Sequence, residues 1–404
     1  HTRFKCDWSS DVCSSDLSCR SSALRASGPI TEMSGVPTPP GDPRPERIAR
    51  VRAALAASDL DGLVIGVRAN VRWLTGFTGS AALLVVTATD VVLITDFRYR
   101  TQARDEAAAV ARVEIEGTSL WSRLWTVLPA LGSLARLGFE SVHLSHLDHQ
   151  RIIDGGARWV WRGTTHLVEE LRQVKDATEV AAIRDAVAIA ERALELTVPE
   201  IAAGKTELEV GARLEFRLRE LGSEAHPFET IIAAGARAAL PHARCSPNIL
   251  RPGDLVVVDF GAVSGGYCSD ITRTFVVGTP SGAQREAYDV VREANLSASA
   301  GVRAGMRGRD ADAIARDYIE RHGMGEEFGH SLGHGIGLEV HEAPRLSKAA
   351  EAPLPAGSVV TIEPGVYREG WGGIRIEDDV VLTPEGPVVL TSFPRELQSV
   401  GKTA

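Results

Sequence analysis

The chain has 404 residues, 44% hydrophobic and 24% charged, with a net charge of −9. That length gives two or three domains with cores large enough to fold without disulfides. The acidic balance argues against a nucleic-acid partner, and no apolar run reaches the ~18 residues of a membrane span; the longest, Ala81 to Thr95, is broken by Thr87, Thr89 and Asp90.

The first 32 residues stand apart. His1 to Glu32 is Ser-rich, lacks apolar periodicity and holds three of the five cysteines, Cys6, Cys13 and Cys19. No histidine joins them, and their spacing matches no zinc pattern. The run from Cys6 to Leu17 reads like translated adapter sequence. Residues 1–32 are therefore expected to be a non-native or disordered leader, with Met33 as the true start. Cys245 and Cys268 then remain, as a reducing cytoplasm would allow.

A Pro-rich lead-in (Pro37, Pro39, Pro40, Pro43, Pro45) resists helix and sheet. Glu46 to Ser58 reads as a helix, with Ile48, Val51 and Leu55 on one side. Gly62–Gly66, Ala81–Val86 and Val91–Thr95 read as strands, and Phe97 to Ala109 as a helix, so the alternation predicts a small α/β domain. Near residue 165 the pattern changes, which divides the chain into 33–165 and 166–404. Asp176 and Glu179 are suited to cap a helix running to about Leu196, and Thr206 with Glu209 forms a capping-box pair for another ending near Gly222. Further helices are expected from about Gln284 to Ala300 and from Asp310 to His322, with strand-rich, Gly-rich sequence after them.

The second part carries a faint repeat. Pro252-Gly-Asp-Leu-Val-Val-Val-Asp259-Phe-Gly261 parallels Gly357-Ser-Val-Val-Thr-Ile-Glu363-Pro-Gly365. A Gly pair follows each arm, and then a second acid on a β-like run, Asp270 in one and Glu377 in the other. If the first hairpin turns near Ser264-Gly265 and the second near Gly370, each pair of acids falls nearly opposite, with Cβ atoms roughly 4.5–5.5 Å apart. Facing acids on Val- and Ile-rich strands are tolerable only if they share protons or meet cations. Two divalent ions would cancel four carboxylates. The segment Gly329-His330-Ser-Leu-Gly-His334-Gly-Ile-Gly-Leu-Glu-Val-His341 favours cations, and His242 follows Leu240-Pro241 in a loop. A lone Asp or His would be an ordinary satisfied side chain. It is the ordered set Asp259, Asp270, His334, Glu363 and Glu377 that points to a metal site.

This set resembles the metal-site signature of the methionine aminopeptidase, aminopeptidase P and prolidase superfamily, carried here by Asp259 and Asp270, His334-Gly-Ile-Gly, Thr361-Ile-Glu363-Pro-Gly and Arg375-Ile-Glu377. The likeness spans roughly residues 175–395. Asn70-Val-Arg-Trp73-Leu-Thr-Gly-Phe77-Thr-Gly-Ser, Thr95-Asp-Phe-Arg98-Tyr99 and Ala239-Leu-Pro-His242-Ala resemble the aminopeptidase P and prolidase branch. The resemblance implies an α/β (α+β) chain: a creatinase-like N-terminal α/β domain, then a pita-bread pseudo-twofold catalytic domain. It implies that Asp259 chelates one ion, that Asp270 and Glu377 bridge two, and that His334 and Glu363 complete the other. It gives His242, His341 and Glu363 catalytic roles. It puts His330 at the proline pocket and Arg375 beside the ligands and the substrate.

The ligand set suits Mn²⁺, with Co²⁺, Zn²⁺ or Fe²⁺ as other occupants. The expected activity is cleavage of the bond preceding proline: an Xaa-Pro aminopeptidase first, an Xaa-Pro dipeptidase as the sister reading, a non-catalytic pita-bread binding protein or a metal-free paired-acid hydrolase as further ones. The partners implied are peptides with proline second, with no nucleic acid or membrane, and a homodimer is compatible with the branch.

Overall fold

A computed structural model describes residues 41–401; the leader expected at 1–32 lies outside them. The chain enters through helix α1 (Arg44–Ala57), whose Ile48, Val51 and Leu55 are buried as their spacing predicts. Strand β1 (Gly62–Ile65) follows, then α2 (Arg68–Thr75), β2 (Ala82–Thr87), β3 (Val91–Asp96), α3 (Arg100–Ala107), β4 (Arg112–Glu116), α4 (Leu120–Val127), β5 (Arg136–Glu140), α5 (His146–Gly155), β6 (Val160–Thr164) and α6 (Leu167–Arg172). The six strands form one mixed sheet in the order β4-β3-β2-β1-β5-β6. The helix expected over 97–109 starts later, because a 3₁₀ turn occupies Phe97–Tyr99. The break expected near residue 165 is softened by packing: Val168 of α6 is buried in the same core as Leu63 and Trp73, so the first core runs on past that point.

The second part opens with two helices that the sequence marks clearly. α7 (Ala177–Thr197) and α8 (Glu207–Glu220) each begin at a complete capping box, Asp176 with Glu179 and Thr206 with Glu209. Each box satisfies amides that a helix N-terminus leaves unpaired. Strands β7 (Ile231–Ala234), β8 (Leu255–Phe260), β9 (Val263–Ser264), β10 (Tyr267–Cys268) and β11 (Ile271–Val277) come next. They are followed by α9 (Gly282–Gly301), α10 (Gly308–Arg321), β12 (Gly333–Gly335), β13 (Glu342–Leu346), β14 (Val359–Ile362), β15 (Gly365–Arg368), β16 (Gly372–Arg375), β17 (Asp378–Thr383), β18 (Gly386–Val389) and β19 (Gln398–Val400). One sheet runs β19-β11-β8-β7, the other β13-β12-β14-β17-β18. In each, an outer hairpin encloses a short inner one: β8–β11 around β9–β10, and β14–β17 around β15–β16. A helix pair precedes each sheet, and each half has its own buried core. The repeat seen in the sequence is thus a pseudo-twofold architecture.

The registers of the two arms differ. In the second, β14–β17 pairs Ile362 with Asp378 and β15–β16 pairs Gly365 with Arg375, so continuing either ladder sets Glu363 opposite Glu377. In the first, Asp259 faces Thr272 instead of Asp270. The two-residue turn is Gly265-Gly266, one position later than expected, and both glycines take positive φ (56° and 82°) as such a turn demands. Asp270 is therefore the diagonal neighbour of Asp259, two residues along and on the same face.

The two parts meet through buried polar groups. Glu179 Oε1 accepts from Trp73 Nε1 at 3.0 Å and from the Tyr267 hydroxyl at 2.9 Å, while Arg47 bonds Asp176 at 2.7 Å. On another side Arg172 bonds Asn70 Oδ1 at 2.6 Å, Glu339 at 3.0 Å and Glu342, and Lys175 bonds Glu342 at 3.0 Å. Burial opposes ionisation of Glu342, yet Lys175 and Arg172 hold its carboxyl below the usual carboxylate range. A depressed value contributes stability above the unfolded value of ~4.3, and that stability is lost as pH falls through the folded one. Glu342→Gln leaves two buried cations under-paired, so we expect a loss of about 3–5 kcal/mol near neutral pH. Urea unfolding across an acid pH series measures both effects. The variant should lose less stability than the wild type on acidification, and matching acid limbs would contradict the assignment.

Candidate metal centre

Every residue singled out from the sequence for metal or substrate lines one cleft of about 560 Å³. Asp259 lies near the end of β8, Asp270 directly before β11, His334 in the middle of β12, Glu363 directly after β14, and Glu377 between β16 and β17. The four acids stand at the ends or joints of strands and His334 within one, where the ladders hold them. The joints are fastened from behind. Asn295, buried on α9, donates to Ile362 O at 3.0 Å and Ile376 O at 3.1 Å, the carbonyls that precede Glu363 and Glu377. Glu377 N donates to Thr272 O, and Asp270 N to Asp379 Oδ2 at 3.1 Å, so each half of the domain supports an acid of the other.

Asp270, His334 and Glu377 each offer an atom lying within 4.8 Å of the others, a spacing that could hold a metal ion. His334 Nε2 is 3.9 Å from Asp270 Oδ2 and 3.5 Å from Glu363 Oε1. Its Nδ1 sits 3.0 Å from Gly335 O, which fixes the proton there and leaves the Nε2 lone pair facing the acids. Burial takes the His334 ring down to about 3. It is therefore neutral and cannot balance the carboxylates. Burial first and acid neighbours second push Asp270 and Glu363 well above the usual carboxylate range, and Glu377 up to about 8, with Asp259 its largest charged neighbour. Among the described residues Asp259 Oδ1, Asp270 Oδ1 and Glu377 Oε1 are buried and meet no hydrogen-bond donor. Oxygens that lack donors beside an imidazole lone pair form a donor set suited to a hard or borderline divalent cation.

Arg375 is the fixed positive charge in this group. The family resemblance puts it beside both the ligands and the substrate, and it lines the cleft. In the structure its nitrogens all meet protein acceptors: Asp259, the Thr272 hydroxyl at 3.1 Å, the Tyr367 hydroxyl at 2.7 Å and Pro241 O at 3.3 Å. Burial alone would lower it, but Tyr367, Asp259, Glu363 and Glu377 keep it charged. Thr272 passes the contact on, donating to Glu377 Oε2 at 2.6 Å. His330 Nε2 lies 2.9 Å from the Tyr367 hydroxyl, and burial takes this ring down to about 4. His341 packs edge-on against His334 at 4.4 Å between centroids, while His242 is exposed at the rim.

Sequence reasoning missed Tyr367, Thr272 and Asp379. Thr272 was within reach, since period-two alternation puts it on the same face as Asp270. Tyr367 and Asp379 carry no spacing signal. Arg244, Arg345 and Phe228, which also line the cleft, were not singled out either.

A pseudo-twofold domain whose cleft gathers acids around a neutral histidine is the construction of a metal-dependent hydrolase. Comparison with known proteins makes that specific. Residues 181–384 match metallopeptidase family M24, and residues 47–174 match the creatinase/prolidase N-terminal domain. The chain belongs to metallopeptidase family M24, in the branch that carries that N-terminal domain. It is similar to the Xaa-Pro dipeptidase from Bacillus anthracis (40% identity, TM-score 0.84, covering 88% of this chain and 99% of that one). It is likewise similar to the X-Pro aminopeptidase from Thermotoga maritima MSB8 (38%, TM-score 0.81, 87% and 99%) and to the prolidase from Pyrococcus horikoshii OT3 (35%, TM-score 0.82, 87% and 99%). Among the described residues no helix is long and apolar enough to cross a membrane.

Removing one crowded acid should move stability in opposite directions with and without cation. In chelator, Asp270→Asn is expected to melt above the wild type, since it relieves repulsion within the cluster. With divalent metal added, the wild type should gain stability through binding to the folded state alone, and the variant should gain little. Thermal melts with parallel metal analysis test this; an equal metal-dependent gain in both proteins would count against Asp270 as a ligand.

Proposed function

We propose that this chain hydrolyses the bond preceding proline in Xaa-Pro dipeptides, using two divalent ions, for which Mn²⁺ suits the ligands best. The observation that carries this reading is the set of three donor-less carboxylate oxygens beside the His334 lone pair, at the floor of a cleft that three further histidines line. Ions held by Asp259, Asp270, His334, Glu363 and Glu377 would supply Lewis acidity, making a water acidic enough to attack near neutral pH and polarising the scissile carbonyl.

The protein's own groups do the rest. Glu363 takes the proton of the attacking water and returns it. His341 holds the carbonyl oxygen as it gains charge, and His242 delivers a proton to the leaving imino nitrogen. His330, braced by Tyr367, walls the site for the proline ring. Proline nitrogen carries no hydrogen, so such a site needs no acceptor for it. Arg375 orients Asp259 and, through Thr272, Glu377. Among the described residues Cys245 and Cys268 are free thiols, which supports a reducing cytoplasm as the compartment.

The expectation that put the aminopeptidase first gives way to the dipeptidase. Two of the three similar structures carry dipeptidase or prolidase names. The cleft also holds Arg345, a cation suited to the free carboxylate that a dipeptide presents one residue beyond the scissile bond, and Arg244, which is paired with Glu229 at 2.6 Å. The aminopeptidase remains the second reading, supported by the Thermotoga relative.

Steady-state rates with Ala-Pro and Ala-Pro-Ala separate the two. We expect higher kcat/KM on the dipeptide, and a reversed preference would establish the aminopeptidase. No cleavage of either substrate by metal-loaded protein would defeat both. His242→Ala should reduce kcat on the order of 10²–10⁴-fold if it is the proton donor.

A further inference from the structure

We propose that Glu207 is a positioning residue for this reaction: its carboxylate clamps both ends of the loop 235–248 and so sets where His242 stands at the cleft. The inference rests on the role given to His242 above. Glu207 opens α8, on the far side of β7 from the acids, and has no exposed surface. Its Oε1 accepts from Ala234 N and Asn248 Nδ2, both at 3.0 Å, and from Arg237 Nε at 3.1 Å. Its Oε2 accepts from Ser246 N at 3.0 Å, Ser246 Oγ at 2.7 Å and Arg237 Nε at 3.0 Å. One side chain thus gathers the residue before the loop, an arginine early in it and two residues at its return.

The backbone answers in kind. Glu207 N donates to Asn248 O at 3.0 Å and Leu208 N to Ser246 O at 3.2 Å. These are first-turn amides with no partner inside their own helix. Arg237, held by Glu207, then reaches across the loop to Arg244 O at 2.7 Å. On the opposite side the loop rests against the metal centre. Arg375 donates to Pro241 O, the residue before His242, and a Cβ on Gly373 would lie 2.1 Å from Ala238 O, so the loop backbone packs directly on β16.

Apolar burial does little to hold this loop. Ala238 and Ala243 are its buried apolar residues, Leu240 at its tip is 53% exposed, and on the return limb a half-buried Cys245 packs against the core under α8 with its thiol donating to Thr230 O at 3.2 Å. Two alanines and a half-buried cysteine bury too little surface to fix a loop of this length. The segment carrying His242 is held chiefly by the polar clamp on one side and Arg375 on the other.

The test compares Glu207→Gln and the milder Ser246→Ala with wild type and His242→Ala, in the full chain loaded with Mn²⁺. Gln turns an amide toward donors, so kcat/KM on an Xaa-Pro substrate should fall about 10–100-fold, with a smaller fall for Ser246→Ala. Metal content should match wild type. Amide exchange over 235–248 should quicken while the 255–277 hairpin is unaffected. Added to His242→Ala, Glu207→Gln should cost less than about twofold more, because both act at one point. Losses that multiply in the double variant, or wild-type exchange over 235–248, would overturn the proposal. If Glu207→Gln does not fold, Ser246→Ala carries the same comparisons. Full activity in His242→Ala would remove the role of His242 itself, and the exchange readout would still decide whether Glu207 holds the loop.

Discussion

Four carboxylates share one buried gap, and much of the second domain exists to keep them there. Left to themselves, such groups would turn toward water or take up protons. Here two of the joints carrying them are fastened to the opposite half, Glu377 through Thr272 and Asp270 through Asp379, while Asn295 ties the Glu363 and Glu377 joints together within their own half. The rigidity is aimed outward from the backbone, so that side-chain oxygens remain without donors. Arg375 offsets part of the charge but is tied to Asp259, Thr272 and Tyr367, and His334 is neutral. A concentrated negative potential is therefore built into the fold, which is the condition a divalent cation requires.

Much of this was legible in the sequence because it rests on local rules. Capping boxes announced α7 and α8, and the repeated arm of glycine, apolar run and acid announced two hairpins. The acids stood out by residue type and spacing, since like charges on neighbouring apolar strands need an explanation wherever they occur, and the family resemblance gave His334 its role among the clustered histidines. The register of the first arm did not. Ser264-Gly265 and Gly265-Gly266 are equally suited to a tight turn by residue type, and a shift of one residue exchanges a facing pair for a diagonal one. Short elements such as α2 and the strands at the edges of the first sheet were missed because eight residues or fewer give periodicity little room. Tyr367 and Glu207 were missed for a different reason. Their partners are far away in the chain, and a single tyrosine or glutamate in a strand or helix carries no sign of what it will meet.

The two halves of the catalytic domain repeat one plan without being equivalent. The outer hairpin, the inner hairpin and the preceding helix pair recur, yet Glu363 faces Glu377 whereas Asp259 faces Thr272. The twofold is broken at the acids themselves. One half supplies the histidine, from β12, and the other supplies the threonine that joins Arg375 to Glu377. The loop carrying His242 is likewise confined to the first half. The two halves thus share a scaffold, each with its own core, and differ in the residues at strand ends and in the length of the inner hairpin.

Helix α2 shows how closely the first domain is fitted to this scaffold. Beside Asn70 and Trp73, its Arg72 lies against Gly266 at the tip of the first hairpin, where a Cβ would come within 2.1 Å of the guanidinium carbon. That glycine is fixed twice over, by its positive φ and by the side chain lying on it. The pair forms a lock and key across the junction, so the two domains are poor candidates for independent exchange. A chimaera that borrows its amino-terminal domain from a distant relative would inherit a mismatched arginine, tryptophan or asparagine at the seam, and the hairpin leading to Asp270 would be the first element to feel it.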